Sequence, residues 1–300
     1  MIFQNLEKYG CHEVTFFYHK GTGLRAIIAI HDTTLGPALG GTRLWNYHSE
    51  EEALIDALKL ARDMSRKASI SGLDCGGGKA VVMGDSSNKT EAMIRAYAQC
   101  IDSLQGRLIT GQDVGIDIED TLIMKQETKY IVGTSEKVRD PSLFTAHGTL
   151  FGMRACAKEA FGSPRLSGLR VAIQGVGHVG YHLAHELYKE GVKLIVSDIR
   201  EEQTKRVADE CNAEVVSLEQ IYSADCDIFA PCALGAIIND ETIPKLKCKV
   251  VAGSANNQLK ENAHGDELYK RGILYAPDYV INAGGLIAAK WNGKRRPHRR

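Results

Sequence analysis

Leu169-Arg-Val-Ala-Ile-Gln174 runs straight into Gly175-Val-Gly177-His178-Val179-Gly180, and the next apolar run, Val192-Lys-Leu-Ile-Val-Ser197, ends in Asp198. The first run is rich in β-branched residues and predicts a strand; residues 178–190 then predict a helix. A glycine-rich turn between strand and helix has a specific use. Gly175 permits a tight turn, Gly177 lets the backbone approach a pyrophosphate at the positive helix N-terminus, and Gly180 permits close helix–strand packing. Asp198 lies about 20 residues on, where a ribose hydroxyl is held. A carboxylate there would repel a 2′-phosphate, so the reading favours NAD over NADP.

Working outward, the second half keeps alternating. Strands are expected at 192–197, 226–229, 248–252 and 273–276, with a helix at 201–211. Strands alternating with helices imply βαβ units and a parallel sheet, and near-continuous apolar strands imply burial on both faces. The fold class is α/β, with a Rossmann-type, doubly wound second domain. His178, His182 and His185 share one helix face, and surface histidines are the preferred reading; no metal is assigned.

The first half reads as a mixed α/β domain. Strands are expected at 14–18, 24–30, 79–83 and 107–110, and helices at 49–67, 90–104, 118–127 and 145–161. Ser49 and Glu52 have capping-box spacing ahead of the apolar series Ala53, Leu54, Ala57, Leu58, Ala61 and Met64. The polar stretch 133–142 carries Gly and Pro and marks a domain junction. Residues 1–138 are therefore read as one domain and 139–287 as the other.

Ser71-Gly-Leu-Asp-Cys-Gly-Gly-Gly-Lys79 is not a phosphate-binding loop of the Walker type. Its lysine is one position too late and Ala80 stands where Ser or Thr is needed. Three glycines before a lysine still require close backbone approach or positive φ. Lys67 ends the preceding helix. If both lysines converge, mutual repulsion and burial would lower one ammonium toward a usable proton acceptor; two solvated lysines are the simpler reading of spacing alone.

The 300 residues carry 37 cations and 37 acids. Six cations and no acid lie in 288–300, so 31 cations face 37 acids in 1–287 and the body is acidic. That argues against a nucleic-acid-binding core. Eight scattered cysteines without a CxxC pair suit small buried hydrophobes in a reducing cytoplasm. The N-terminus lacks a signal-peptide pattern and no run is apolar enough for a membrane helix.

These residues carry a resemblance. Gly36-Pro-Ala-Leu-Gly-Gly-Thr42, Met64–Lys67, Gly76-Gly-Gly-Lys79, Thr110-Gly-Gln-Asp113, the Gln174 turn, Phe229-Ala-Pro-Cys-Ala-Leu-Gly235, Gly253-Ser-Ala-Asn-Asn257 and Pro277-Asp-Tyr-Val-Ile-Asn-Ala-Gly-Gly285 resemble the amino-acid dehydrogenase superfamily. The nearest branch is that of leucine dehydrogenases with their valine, phenylalanine and tryptophan relatives. The resemblance implies reversible, NAD-dependent oxidative deamination of an L-amino acid to a 2-oxo acid and ammonia. It implies that Lys79 and Asp113 are catalytic, Lys79 polarising the carbonyl and activating water and Asp113 shuttling a proton near the amine. It places Lys67 on the substrate α-carboxylate, Gly40 and Gly41 along the substrate, and Leu39, Gly111 and Leu286 at its side chain. It places Thr145 and Asn282 on the nicotinamide carboxamide, Asn257 near nicotinamide and substrate, and Ala233, Leu234 and Gly235 along the cofactor, with the 175–180 turn, His178 and Val179 included.

Leu39 is apolar where glutamate-specific relatives carry a lysine, so a dicarboxylate would leave a buried charge unpaired. Branched aliphatic substrates are the first choice. A small Gly111 enlarges the pocket and keeps a phenylalanine- or tryptophan-type activity as the alternative, beside an NAD-binding protein without turnover. The resemblance also implies a homo-oligomer built through the first domain, and two domains suited to hinge closure. Past Ile287 the family pattern stops: the C-terminal helices are read as truncated, and 288–300 as a basic, disordered tail.

Overall fold

The computed structural model describes residues 2–133 and 140–290. Most of the junction expected at 133–142, and the tail beyond Lys290, lie outside the described residues. The described residues divide into two compact units, 2–133 with 289–290 and 140–288.

The first unit contains α1 (Ile2–Tyr9), β1 (Glu13–His19), β2 (Leu24–Asp32), β3 (Ala38–Leu39), β4 (Thr42–Trp45), α2 (Glu50–Ile70), β5 (Gly76–Met83), α3 (Glu91–Ser103), β6 (Leu108–Ile109) and α4 (Ile118–Glu127). Its mixed sheet runs β1-β2-β5-β3-β6, with β4 also paired to β5. β1, β2 and β5 are antiparallel neighbours, whereas β3 and β4 pair parallel to β5. Side chains alternate across the strands. Leu24, Ala26, Ile28, Ala80 and Val82 face α3 and α4, while Ile27, Ala29, Val81 and Met83 face α2. Alternation with both faces buried follows from the two-residue period of a strand clad by helices on each side.

Helix α2 starts where its residues dictate. Ser49 Oγ accepts the Glu52 N–H at 3.1 Å, and Glu52 reaches back to the His48 N–H at 2.8 Å, one residue beyond the expected box partner. Three glutamates complement the dipole of the first turn. Ala53, Ala57 and Ala61 let the helix approach the sheet, and Leu54 and Leu58 fill the rest. Each buried leucine contributes about 2 kcal/mol by area.

The second unit contains α5 (Pro141–Phe161), β7 (Arg170–Gln174), α6 (His178–Lys189), β8 (Lys193–Ser197), α7 (Glu201–Cys211), β9 (Glu214–Val215), β10 (Ile228–Pro231), β11 (Val250–Val251), α8 (Ala263–Lys270), β12 (Leu274–Tyr275), α9 (Asp278–Ile281) and α10 (Gly284–Lys290). Among the described residues its six strands pair in parallel, in the order β12-β11-β10-β7-β8-β9. That is the doubly wound dinucleotide-binding order, with its switch point between β7 and β10. Val171, Ile173, Leu194 and Val196 face α5 and α6; Ala172, Ile195, Phe229 and Val251 face the opposite core.

Two sequence boundaries move. α5 begins at Pro141, four residues before the expected start, because Asp140 caps it and proline suits the first turn. α10 runs to Lys290, so residues 288–290, read as the start of a disordered tail, are helical. All eight cysteines are free thiols, and burial pushes Cys11 up to about 12 and Cys248 up to about 11. No helix among the described residues is long and apolar enough to cross a membrane.

Candidate active site

Gly76, Gly77 and Gly78 open β5, and each is required by a different neighbour. None has positive φ, so of the two reasons open from sequence the operative one is close approach. A Cβ at Gly76 would lie 1.8 Å from the Asp32 carbonyl oxygen, and one at Gly77 2.1 Å from the Ser65 nitrogen on α2. One at Gly78 would lie 2.6 Å from Leu108 Cδ1. The Gly40–Gly41 turn closes on the same place. A Cβ at Gly40 would lie 1.8 Å from the Gly78 carbonyl oxygen, and one at Gly41 2.6 Å from the Gln112 oxygen. Missing side chains thus let β3, β5, α2 and the loop after β6 converge on Lys79. Beneath them Thr42 Oγ1 hydrogen-bonds to Tyr97 Oη at 2.6 Å and to Thr110 Oγ1 at 2.7 Å, all three residues being buried.

Lys79 is buried, and its Nζ donates to Asp113 Oδ2 in a short ion pair. Arg43 on β4 places Nε 3.3 Å from the same oxygen and NH1 3.0 Å from Asp56 Oδ2, which also accepts the Tyr47 hydroxyl at 2.6 Å. Burial lowers the Lys79 ammonium below its ordinary value; Asp113 opposes this and Arg43 adds to it. Arg43 is therefore a cation that repels the Lys79 ammonium, a role the sequence had suggested only for Lys67. For Asp113 burial works upward, but Lys79, Arg43 and the Val114 N–H outweigh it and hold the carboxyl well below the usual range. An amine inclined to lose its proton thus touches a carboxylate that stays ionised, the arrangement needed to pass protons and stabilise developing negative charge.

Lys67 sits in the last turn of α2, half-buried, two residues beyond the Ser65 that packs on Gly77. Leu39 is buried on β3, in register with Gly77 and Ile109. At Gly111 a Cβ would lie 2.7 Å from the Val132 carbonyl oxygen, so close backbone approach by itself calls for glycine there. Leu286 lies half-buried on α10 of the second unit.

In that unit the predicted fingerprint is assembled. Gly175 takes φ +92, and a Cβ on it would lie 2.5 Å from Ala233 Cβ across the switch point. A Cβ on Gly180 would lie 2.0 Å from the Gly175 oxygen. Gly177 differs: it N-caps α6 without a side-chain cap, and the nearest atom to a Cβ there is Arg200 NH2 at 3.5 Å. Its backbone is open to a ligand. His178 is exposed at the first position of α6, and Val179 is half-buried. Asp198 accepts the Val176 N–H at 2.8 Å and the Arg200 N–H at 3.0 Å, so it also braces the turn it was expected only to complement.

The remaining cofactor positions cluster too. Gly235 packs on the backbone of Asn256 and Asn257, and the exposed Ala233 and Leu234 complete that turn. Asn257 takes φ +51, and its N–H donates to Asp278. A Cβ on Gly284 would lie 2.0 Å from the Phe144 oxygen and 3.3 Å from the Thr145 nitrogen, which brings the Asn282 segment against Thr145. Asn282 is buried. Its Nδ2 donates to the Ser254 carbonyl and to Asn256 Oδ1, while its Oδ1 has no hydrogen-bond partner. That orphaned acceptor fits the amide donor of a nicotinamide, and the open, uncapped Gly177 fits a pyrophosphate. The residues present fit NAD.

His182 and His185 pair with different carboxylates, Asp140 at 3.5 Å and Glu210 at 2.9 Å. Among the described residues no group of three or more His, Cys, Asp or Glu side chains could hold a metal ion. Sequence reasoning missed Arg43, Asp56, Tyr47 and the Asp278 brace. Arg43 lies two residues after Gly41, but nothing local links it to Asp56 or Asp113.

Comparison with known proteins identifies the family. Residues 11–137 match the family model described as Glu/Leu/Phe/Val dehydrogenase, dimerisation domain. Residues 196–293 match the model of glutamate/leucine/phenylalanine/valine dehydrogenase, which extends past Ile287, where the family pattern was read to stop. The chain is 57% identical over 290 residues to leucine dehydrogenase of Geobacillus stearothermophilus, covering 95% of this chain and 79% of that protein. It is 50% identical over 291 residues to an L-tryptophan dehydrogenase of Nostoc punctiforme, covering 96% and 82%. The crystal structure of L-tryptophan dehydrogenase from Nostoc punctiforme superposes with a TM-score of 0.77 at 47% identity, over 96% of this chain and 83% of that one. With its lysine–aspartate pair and its dinucleotide turn in place, the chain belongs to the Glu/Leu/Phe/Val dehydrogenase family.

Proposed function

We propose that the protein catalyses NAD-dependent, reversible oxidative deamination of branched-chain aliphatic L-amino acids to 2-oxo acids and ammonia. The observation that carries the reading is the ion pair of buried Lys79 with half-buried Asp113, set by glycine contacts and flanked by Arg43. When bound, NAD supplies the two-electron acceptor. The turn at Gly175–Gly180, with Asp198, Thr145, Asn257 and Asn282, would hold it.

The chain's own residues do the rest. Lys67 binds the substrate α-carboxylate as a point charge. Lys79, inclined to release its proton, takes one at Nζ from the attacking water and stabilises the oxyanion that follows. Asp113, held ionised, exchanges a proton at its carboxylate with the amine. Leu39 offers a distal carboxylate no cation, which disfavours glutamate. Fifty per cent identity to an L-tryptophan dehydrogenase makes aromatic substrates the second choice. Phe16 and Tyr18 are exposed on β1, an edge of the sheet, and support association of copies through the first unit.

A panel of L-amino acids with NAD, read by NADH absorbance at alkaline pH, tests the assignment. The expected order of kcat/KM is leucine, valine and isoleucine first, phenylalanine and tryptophan roughly tenfold lower or more, and glutamate last. Preference for an aromatic amino acid would transfer the chain to the second choice. Calorimetric NAD binding without turnover of any of them would leave an idle NAD-binding protein.

A further inference from the structure

Arg43 is a cation 3.3 Å from the Lys79–Asp113 pair to which the mechanism above gives no task. Its guanidinium is oriented from behind by Asp56 on α2 and by Tyr47, which shares the Asp56 carboxylate. Its Nε is buried, has no hydrogen-bond partner, and lies 3.3 Å from Asp113 Oδ2 outside hydrogen-bond geometry. A buried donor left unpaired costs about 1–3 kcal/mol, so its persistence calls for a reason. One is at hand. Asp113 Oδ2 is occupied by Lys79, and Lys79 must turn to substrate and water during the reaction.

We infer that Arg43 is a positioning residue for this pair: its cation sets the protonation balance of Lys79 and Asp113, and its free Nε–H receives Asp113 Oδ2 when Lys79 turns away. The inference rests on the deamination proposed above. No bond is made or broken in the exchange; one oxygen trades one donor for another. The groups facing the pair are Arg43 from β4, Asp56 from α2, Tyr47 after β4, and the Val114 N–H; Lys67 closes α2 nearby in sequence. Removing the Arg43 cation relaxes repulsion on the Lys79 ammonium and weakens its hold on the Asp113 carboxylate. Both groups then keep their protons to higher pH.

The test uses the full chain labelled with carboxyl-13C aspartate, with Asp113→Asn assigning the resonance. In Arg43→Gln the Asp113 titration midpoint should rise by about one pH unit. The limb of kcat/KM that reports loss of the Lys79 proton should move to higher pH by a similar amount, roughly a tenfold loss on that limb. Arg43→Lys keeps the charge but not the planar fork, so both midpoints should stay within about 0.3 unit while kcat falls about tenfold. A midpoint unmoved in Arg43→Gln, or moved as far in Arg43→Lys, overturns the inference. If Arg43→Gln fails to fold, Arg43→Met takes its place in the same titration, with the same rise expected and an unmoved midpoint again overturning the inference. Should the wild-type chain turn over no amino acid, the deamination reading fails, yet the aspartate titration still decides what Arg43 does to Asp113.

Discussion

In the second unit the turn Gly175–Gly180 and the strand end Asp198 belong to one βαβ unit, contiguous in sequence. In the first unit Arg43, Asp56, Lys79 and Asp113 come from three elements and a loop, and meet only because glycines elsewhere let the backbones touch. Two kinds of site construction follow. A cofactor turn is local geometry, so its residues carry their own spacing. A buried proton-transfer pair is tertiary geometry, so its residues carry none. The contrast makes distinct claims about what each part does alone.

The largest effect should come from removing the reacting cation. Lys79→Met keeps most of the side-chain volume and deletes the proton carrier. Turnover should fall by about a thousandfold or more, within the range general acid–base and oxyanion groups supply. NADH affinity, read by fluorescence quenching, should stay within about twofold, because Lys79 belongs to the first unit and the dinucleotide turn to the second. Substantial turnover in this variant would take the chemistry away from Lys79; lost NADH binding would break the division of labour between the units.

How much of this was legible follows the same division. The parallel order of the second sheet, its glycine turn and Asp198 could be read because apolar runs, a helix period and three glycines sit in sequence order. Helix α2 was legible for the same reason. β3 and β4 were not: Ala38–Leu39 and Thr42–Trp45 are too short for a pattern, and they are strands only because β5 passes beside them. β10 was placed at 226–229 and lies at Ile228–Pro231, with Asp227 just before it bonded to Arg170 through both its backbone N–H and its carboxylate. In the site, the resemblance supplied Lys79 and Asp113. The Arg43–Asp56–Tyr47 support was silent, because a strand arginine and a helix aspartate look the same whether solvated or paired.

The next test bears on the glycines of the first unit. At Gly40 a methyl would sit 1.8 Å from the Gly78 carbonyl oxygen, a backbone atom that cannot yield without moving β5 and Lys79 with it. Gly40→Ala should destabilise the first unit by about 3 kcal/mol in a denaturant titration. Gly84→Ala is its control. Gly84 closes the same run with nothing within 4 Å of a Cβ, so stability there should change by less than about 0.5 kcal/mol. Equal stability of the two variants would show that the glycine contacts do not set the first site.

The smallest expected effect separates ligand glycines from packing glycines inside the second unit. Gly180 has no room for a methyl, because the Gly175 oxygen is 2.0 Å away. Gly177 has room, with φ −67 and only Arg200 NH2 at 3.5 Å. The protein itself therefore does not require glycine at 177, and the requirement must come from what approaches the N-terminus of α6. A methyl there projects into the space where backbone N–H groups and the helix dipole would meet a pyrophosphate. Gly177→Ala should leave the melting temperature unchanged within about 2 °C, since it strains nothing, and should weaken NADH binding by roughly tenfold. Unchanged NADH affinity would mean that the dinucleotide does not lie against Gly177. A lowered melting temperature would class Gly177 with Gly180 as a packing residue, and the fingerprint would then owe its glycines to the fold alone.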